Sequence, residues 1–202
     1  MDKKQQTIDT YNATAIKMAH KFRNIGARVK DIDRGFLLID NKKENIKVLE
    51  IGCGDGRDAR EILLRTKNYL GIDISYVMIE LAKGYNPEGK FEVADIENYN
   101  FPKDLDLIFS FASLLHSNKE TIRDILKKAH VSLNDNGVFY ISLKHDVYHE
   151  ASKTDEFGTR TYYFYTPEII KDLAGNNYKT IWEDVNELRG QQWFTIALRK
   201  DN

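Results

Sequence analysis

Three alternate glycines follow a short apolar segment, and their spacing could hold a ligand close to the backbone. The segment 46–51 is rich in β-branched residues, as a buried parallel strand would be, and Glu50 lies near its end. Gly52, Gly54 and Gly56 then alternate with single residues. Glycine permits a tight turn and lets a ligand approach the backbone closely. The free N–H groups of a following helix could bind an anionic group of that ligand.

Polar residues also end or follow the next three predicted strands. Asp73 ends the second strand, Asp95 follows the third, and Ser110 lies near the end of the fourth. Open α/β sheets bind ligands beyond the carboxyl ends of their strands, where strand order reverses. There the Asp73 carboxylate could accept hydrogen bonds from two ribose hydroxyls. Asp95 could accept a hydrogen bond from an adenine amino group, with Ile96 packed on the ring.

The elements that must position these residues alternate between strand and helix. The hydrophobic pattern predicts strands over 46–51, 68–74, 90–94, 106–111 and 138–143, and helices over 57–66, 75–84 and 118–133. A strong turn is predicted at 134–137. Strands joined by helical crossovers indicate a parallel sheet with helices on both faces.

The two ends of the chain depart from this alternation. The first forty residues have helical periodicity with a break at 24–26, and 145–165 is predicted to be an irregular insertion containing one aromatic strand. Thr166 and Pro167 then open a short helix. Strands are predicted over 178–185 and 193–198, with a turn at Arg189 and Gly190, as an antiparallel pair that closes the sheet.

A nicotinamide or flavin dinucleotide is the competing ligand for such a loop. Its fingerprint is G-x-G-x-x-G. Counted from Gly52, the sixth position is Arg57, and counted from Gly54 it is Ala59. Both counts argue against a dinucleotide and a nicotinamide-dependent oxidoreductase.

Four segments together resemble the successive motifs of class I S-adenosylmethionine-dependent methyltransferases. They are 48–56, 71–73, 94–95 and 106–110. The resemblance covers about residues 44–144 and implies an α/β, Rossmann-like fold. That fold has a seven-stranded, mostly parallel sheet of order 3-2-1-4-5-7-6, here with an N-terminal helical cap. We expect a single domain over 1–202, with the cap at 1–43, the core at 44–144, and a lid insertion with closing strands at 145–202.

The resemblance also implies the cofactor and the activity. The expected cofactor is S-adenosylmethionine, and the expected product is S-adenosylhomocysteine. Glu50 and the glycines would shape the methionine end of the site, and Tyr11 matches a tyrosine that covers the cofactor in small-molecule members. The residues expected to contact the cofactor are Tyr11, Glu50, Gly52, Cys53, Gly54, Gly56, Asp73, Ile74, Asp95, Ile96 and Ser110.

The methyl acceptor is expected to be a small molecule. DNA amino-methyltransferases of this fold carry a proline-containing tetrad after the fourth strand, whereas this chain has none at 110–113. The Pro-Cys nucleophile of cytosine-carbon methyltransferases is also missing, because the only cysteine is Cys53 in the loop. In the insertion, Arg160, Tyr163 and Tyr165 could hold an anionic or planar acceptor.

A general base is needed only if the acceptor carries a proton at neutral pH. His116, after the fourth strand, and His145, after the fifth, are the candidates. His145 and His149 do not form an H-E-x-x-H motif, so no metal site is expected.

The amino-acid composition limits the expected binding partners and the expected cellular location. The 202 residues include 30 Lys and Arg against 31 Asp and Glu, so no nucleic-acid partner is expected. One cysteine, no signal-like N-terminal segment and no apolar run of membrane-spanning length predict a cytoplasmic protein without a membrane partner. The oligomeric state stays open. A non-catalytic S-adenosylmethionine-binding sensor or partner subunit is the alternative function.

Overall fold

A seven-stranded sheet forms the centre of the molecule. The computed structural model describes residues 2–39, 45–188 and 190–201. The strands are β1 Lys47–Ile51, β2 Asn68–Asp73, β3 Lys90–Val93, β4 Leu105–Phe111, β5 Leu133–Lys144, β6 His149–Asp155, β7 Gly158–Phe164, β8 Tyr178–Leu188 and β9 Gln191–Lys200. The large sheet has the order β3-β2-β1-β4-β5-β9-β8, and β6 and β7 form a separate pair.

The predicted strand order is confirmed. Strands β1 to β5 pair in parallel, whereas β9 pairs antiparallel with both β5 and β8. The sixth and seventh strands of the predicted order are β8 and β9. The predicted turn before β9 includes Arg189, which lies outside the described residues.

Six α-helices accompany the sheet within the described residues. They are α1 Lys3–Ile25, α2 Val29–Leu37, α3 Ala59–Leu63, α4 Tyr76–Tyr85, α5 Lys119–Ser132 and α6 Pro167–Ala174. Side-chain oxygens of Ser75, Asn118 and Thr166 accept backbone N–H groups in the first turns of α4, α5 and α6. Such caps each stabilise a helix by about 1 kcal/mol. α1 and α2 match the predicted cap, whose boundary at residues 43 and 44 lies outside the described residues.

The two larger hydrophobic clusters of the described residues lie on opposite faces of the sheet. Successive residues of a strand point to opposite faces, and β1 shows this directly. Leu49 packs in the core that includes Ile122 of α5, whereas Val48 packs in the core that includes Ile62 of α3. Every residue of β4 is buried, as expected for a central strand covered on both sides. The carboxyl ends of β1 and β4 are thereby held side by side.

The prediction for the insertion at 145–165 was wrong in its count of strands. It forms a hairpin of two strands, β6 and β7. The sequence of β6 is polar and largely exposed, so it has no apolar alternation that would mark a strand. β7 is mostly buried, which explains why only its aromatic pattern was visible. The hairpin is attached to α1, where the Thr10 hydroxyl donates to the Thr159 carbonyl at 2.8 Å.

Two local boundaries also differ from the sequence predictions. The helix predicted over 57–66 is limited to the five residues of α3. The turn predicted at 134–137 is an irregularity within β5, because Leu105 pairs with Leu133 while Leu107 pairs with Val138. Turn-forming residues are accommodated there without ending the strand. Among the described residues, no helix combines the length and the apolar character needed to cross a membrane.

Candidate active site

A cavity of about 1020 Å³ lies beyond the carboxyl ends of β1, β2, β3 and β4. α1 and the β6–β7 hairpin form its outer wall. Its lining divides into two parts. The acidic half consists of loop residues 51–55 and 57 with Asp73, Ile74, Asp95 and Ile96. The cationic half consists of Tyr11, Arg28, His116, Lys144, Arg160, Tyr162 and Trp193.

The glycine loop is fixed against β2 by its backbone. The N–H groups of Gly52 and Cys53 both donate to the Ile72 carbonyl, at 2.8 and 3.0 Å. Gly52 has a φ of 71°, and a Cβ there would lie 2.1 Å from the Ser113 Oγ. Both facts require glycine. The strained turn therefore lets the loop and the segment after β4 meet at the cavity.

Asp73 is the best-anchored carboxylate of the cavity. Its Oδ2 accepts the Gly54 N–H at 2.9 Å, and its Oδ1 accepts the Ser75 N–H at 2.8 Å. Burial raises the pKa of Asp73, although these backbone donors act in the opposite direction. Each carboxylate oxygen keeps a second lone pair. Asp73 can therefore accept two further hydrogen bonds from a ligand in the cavity.

Asp95 joins the end of β3 to the start of α1. Its Oδ2 accepts from the Lys4 ammonium at 2.7 Å, and its Oδ1 accepts the Glu97 N–H at 3.1 Å. Burial alone would raise the pKa of Asp95, but the Lys4 ammonium and the backbone donor hold it below its usual range. Ile74 and Ile96 supply apolar surface between the two aspartates. This combination suits a planar group with polar edges.

Three of the residues predicted to contact the cofactor lie behind the cavity wall and not on it. Gly56 packs against α4, where a Cβ would lie 2.5 Å from the Asn86 Nδ2. Ser110 is fully buried in β4, and its hydroxyl has no hydrogen-bond partner among the described residues. Glu50 is buried under the loop and accepts the Tyr69 hydroxyl at 2.5 Å. Burial, with the nearby charge of Asp58, raises the pKa of Glu50 to about 8. These residues support the loop and the strand ends.

Cys53 faces the cavity beside the loop, but its thiol is buried. Burial raises the pKa of Cys53 well above its usual range. The thiol is therefore protonated at neutral pH, and Cys53 acts as a small packing residue.

In the cationic half, Tyr11 and His116 form one hydrogen-bonded unit. The Tyr11 hydroxyl lies 3.0 Å from His116 Nε2, and His116 Nδ1 lies 2.6 Å from the Thr161 carbonyl. A carbonyl can only accept, so Nδ1 carries the proton and Nε2 accepts from Tyr11. Burial lowers the pKa of His116 to about 4, and the charges of Arg160 and Lys144 lower it further. The imidazole is thus neutral, with both nitrogens engaged.

Arg160 lies against three aromatic rings. Its guanidinium carbon is 5.8 Å from the Tyr11 ring centroid, 5.7 Å from that of Tyr162 and 5.6 Å from that of Phe157. One terminal nitrogen pairs with Asp155, whereas the buried Nε has no hydrogen-bond partner in the described part of the chain. Arg160 lines the cavity, and its predicted role in holding an acceptor stays a prediction.

The other predicted acceptor residues and the second histidine are divided between the cavity and the core. Tyr163 lines the cavity and donates its hydroxyl to Glu150 at 2.9 Å. Tyr165 is fully buried and donates to the Ser117 carbonyl at 2.6 Å, so it is a core residue. His145 packs edge-on against Phe194, outside the cavity lining as described, and is not placed to act as a base there.

Sequence reasoning missed three residues of the cationic half. Lys144 ends β5, and its ammonium lies 4.1 Å from the centroid of the Tyr162 ring. Trp193 pairs with Lys144 across β5 and β9. Arg28, before α2, has its guanidinium carbon 5.8 Å from the Trp193 ring centroid. Lys144 could have been found from its place at a strand end, but Arg28 and Trp193 enter only through the strand pairing and the path of the chain between α1 and α2.

Comparison with known proteins agrees with this architecture. Residues 48–137 match a family described as "Methyltransferase domain". The chain is 41% identical over 86 residues to malonyl-[acyl-carrier protein] O-methyltransferase 1 of Ilyobacter polytropus, covering 40% of this chain and 32% of that protein. It is 30% identical over 134 residues to the ubiquinone biosynthesis O-methyltransferase of Pelagibacter ubique, covering 62% and 55% respectively. The chain thus spans less than two thirds of the length of either relative.

Among solved structures, the fold is similar along the whole chain. The magnesium protoporphyrin IX methyltransferase of Synechocystis PCC 6803 superposes with a TM-score of 0.75 at 14% identity, covering 100% of this chain and 98% of that one. The sequence motifs, the matched domain and the strand order agree with one another. The chain therefore resembles the class I S-adenosylmethionine-dependent methyltransferases in its motifs, in the domain matched over residues 48–137 and in its strand order.

Proposed function

We propose that this protein binds S-adenosylmethionine in the acidic half of the cavity and transfers its methyl group to a small-molecule acceptor in the cationic half. The observation that carries the proposal is the Asp73 carboxylate. It is held by the N–H groups of Gly54 and Ser75, and it lines a cavity that continues into a second, chemically different half.

The residues of the acidic half suit the cofactor. Asp73 would accept the two ribose hydroxyls, and Asp95 would accept the adenine amino group while Ile74 and Ile96 pack on the ring. Gly52 and Gly54 bring the backbone close to the methionine portion. When bound, S-adenosylmethionine supplies a methyl carbon activated by its sulfonium.

The protein's contribution to such a transfer is positioning. Holding two reactants in line can lower a barrier by about 7–11 kcal/mol without any covalent help from the enzyme. α1 and the hairpin cover the cavity, with the Thr10 bond to β7 at one end and the Lys4 pair with Asp95 at the other. We expect this cover to exclude water and to confine the acceptor beside the loop.

The acceptor is proposed to be a small molecule because α1 and the β6–β7 hairpin wall one side of a cavity of about 1020 Å³. Curated relatives named for malonyl-[acyl-carrier protein] and for ubiquinone biosynthesis support O-methylation in this group of proteins. The proposal includes the cytoplasmic location that the lone cysteine predicts, which localisation of a tagged protein would test.

Calorimetric titration with S-adenosylhomocysteine tests the cofactor assignment. Asp73→Asn keeps the size of the side chain but removes its charge and places an amide nitrogen against a backbone donor. We expect at least about a tenfold loss of affinity, because two hydrogen bonds to a charged group are weakened. Asp124→Asn, on the exposed surface of α5, is the matched control and should bind like the wild type.

Two results would contradict the proposal. One is wild-type protein that is folded, by circular dichroism, but does not bind S-adenosylhomocysteine. The other is Asp73→Asn protein with unchanged affinity.

A further inference from the structure

The charged residues that line the cavity indicate the charge of the acceptor. Asp73 and Asp95 lie where the cofactor would bind, whereas Arg28, Lys144 and Arg160 line the opposite part. Asp31 and Asp58 also line the cavity beside Arg28, so the positive charge without a carboxylate partner among the described residues is that of Lys144. Cavities lined by one sign of charge concentrate ligands of the other sign. The cationic half is therefore suited to an anion.

The Lys144 ammonium has no anionic partner among the described residues. Its ammonium lies 4.1, 5.7 and 6.0 Å from the ring centroids of Tyr162, Phe164 and Trp193. Within residues 2–39, 45–188 and 190–201 it makes no hydrogen bond and no ion pair. Burial, together with the charges of Lys153 and Arg160, lowers the pKa of Lys144 to about 8. Cation–π contacts offset only part of the cost of removing an ammonium from water.

The two arginines also keep unused donors. The Nε atoms of Arg28 and Arg160 are buried without hydrogen-bond partners among the described residues. Arg160 is partly neutralised by Asp155, and the nearest carboxylate oxygen to Arg28 in an ion pair, from Asp31, is 3.9 Å away. Guanidinium groups recognise carboxylates through several N–H donors at once.

Beside Lys144, neither His116 nor Tyr11 is free to take a proton from an acceptor. Both nitrogens of His116 are engaged, and burial raises the pKa of the Tyr11 hydroxyl, so that hydroxyl stays protonated. Lys144 is mainly a cation at neutral pH. An acceptor that arrives already deprotonated needs no base.

We infer that the acceptor is a carboxylic acid, bound as its carboxylate by Lys144 with Arg28 and Arg160 nearby, and that the product is its methyl ester. This inference rests on the proposed function. In the transfer, a lone pair of the carboxylate oxygen forms the O–CH3 bond as the S–CH3 bond breaks. The electron pair of the broken bond stays on sulfur, which becomes the neutral thioether of S-adenosylhomocysteine. No proton is released, so the step needs no base.

Binding of simple acids to the S-adenosylhomocysteine complex is the first test. The probes are benzoate, hexanoate and succinate, each compared by calorimetry with its uncharged amide. We expect at least one acid to bind about tenfold or more tightly than its amide, as a charge-assisted hydrogen bond would provide. Lys144→Met should abolish this preference. Lys153→Met removes a neighbouring cation that does not line the cavity and should keep the preference.

The second test concerns the bond that is made. With S-adenosylmethionine labelled on its methyl group, the product of the preferred acid should release its label as methanol in mild base, as methyl esters do. Label that is stable in base, with an ether or amine as product, would overturn the inference.

The outcomes distinguish a failure of the proposed function from a failure of the carboxylate-acceptor inference. Protein that fails to bind S-adenosylhomocysteine would contradict the proposed function. Protein that binds it, yet binds acids and amides equally or keeps its preference in Lys144→Met, would leave the proposed function standing and overturn the carboxylate acceptor. Retained S-adenosylhomocysteine affinity in Lys144→Met shows that the variant is folded.

Discussion

The two halves of the cavity are built in different ways. The acidic half comes from one continuous stretch of chain, residues 51–97, and its polar groups are held mainly by backbone N–H donors. The cationic half draws single residues from α1, the segment before α2, the turn after β4, and the ends of β5, β7 and β9. Its charges rest on aromatic rings more than on hydrogen bonds. The first half is fixed by the scaffold, whereas the second can change by single substitutions.

The largest effect is expected from a substitution that distorts the glycine loop of the acidic half. Gly52→Ala places a Cβ 2.1 Å from the Ser113 Oγ at a φ of 71°. Strain and overpacking together should cost roughly 2–4 kcal/mol of stability. Binding of S-adenosylhomocysteine should fall by more than about tenfold, because the loop or Ser113 must shift to relieve this contact. Chemical denaturation and calorimetry measure the two effects.

Gly84→Ala is the matched control for that loop substitution. Gly84 lies inside α4, and a Cβ there meets no atom within 4 Å. Alanine in a helix should leave stability equal or raise it by about 0.5–1 kcal/mol. If Gly52→Ala behaves like Gly84→Ala, the rigid-backbone description of the acidic half is wrong.

The same contrast explains what the sequence could predict. Glycines and strand-end aspartates are local patterns, so Gly52, Asp73 and Asp95 could be predicted from the sequence to lie at one ligand site. The strand order was implied by the resemblance to class I methyltransferases. Glu50 was predicted to contact the ligand from the family resemblance, and Ser110 was predicted to do so from its place at the end of the fourth strand. Whether a strand residue faces the cavity or the core depends on the pleat and on the neighbouring strands.

The cationic half was less visible because it is assembled by tertiary contacts. Trp193 meets Lys144 only through the pairing of β9 with β5. Arg160 and Tyr165 were both predicted to face a ligand from the aromatic insertion. Tyr165 is instead fully buried in the core. A polar strand such as β6 gives no hydrophobic signal at all, so the hairpin that carries Arg160 could not be predicted from periodicity.

A further effect is expected in the pH dependence of stability. His116 and Glu50 should change the stability in opposite directions as the pH rises. His116 has a folded-state pKa near 4 against an ordinary value of 6.5. The unfolded chain therefore binds the proton first, and the stability that neutral His116 contributes is lost as pH falls from about 6.5 toward 4. The loss is on the order of 3 kcal/mol. Glu50 has its pKa raised to about 8 by burial, so its contribution is lost as pH rises from about 4.5 through 8.

Urea denaturation of the wild type, His116→Asn and Glu50→Gln between pH 4.5 and 8.5 separates these two groups. Relative to the wild type, His116→Asn should lose less stability on acidification. Glu50→Gln should lose less on going to alkaline pH. Parallel curves for all three proteins would mean that neither group titrates differently in the folded state, and the neutral Tyr11–His116 unit would have no support.

The smallest effect is expected from weakening the contacts that hold α1 over the cavity. Lys4→Met removes the ion pairs of α1 with Asp95 and Glu97, at 2.7 and 2.9 Å. The Lys4 side chain is 38% exposed, so solvent screens these pairs and less than about 1 kcal/mol of stability should be lost. The dissociation rate of S-adenosylhomocysteine, measured by stopped-flow fluorescence, should still rise up to about fivefold, because the first turn of α1 is held over Asp95 by these contacts. Lys17→Met removes a more exposed cation (59%) farther along α1, which pairs with Glu156, and should leave that rate unchanged. Equal rates in both variants would show that the Asp95 pair does not hold the cover closed, and that α1 is retained over the cavity by its contacts with β7 instead.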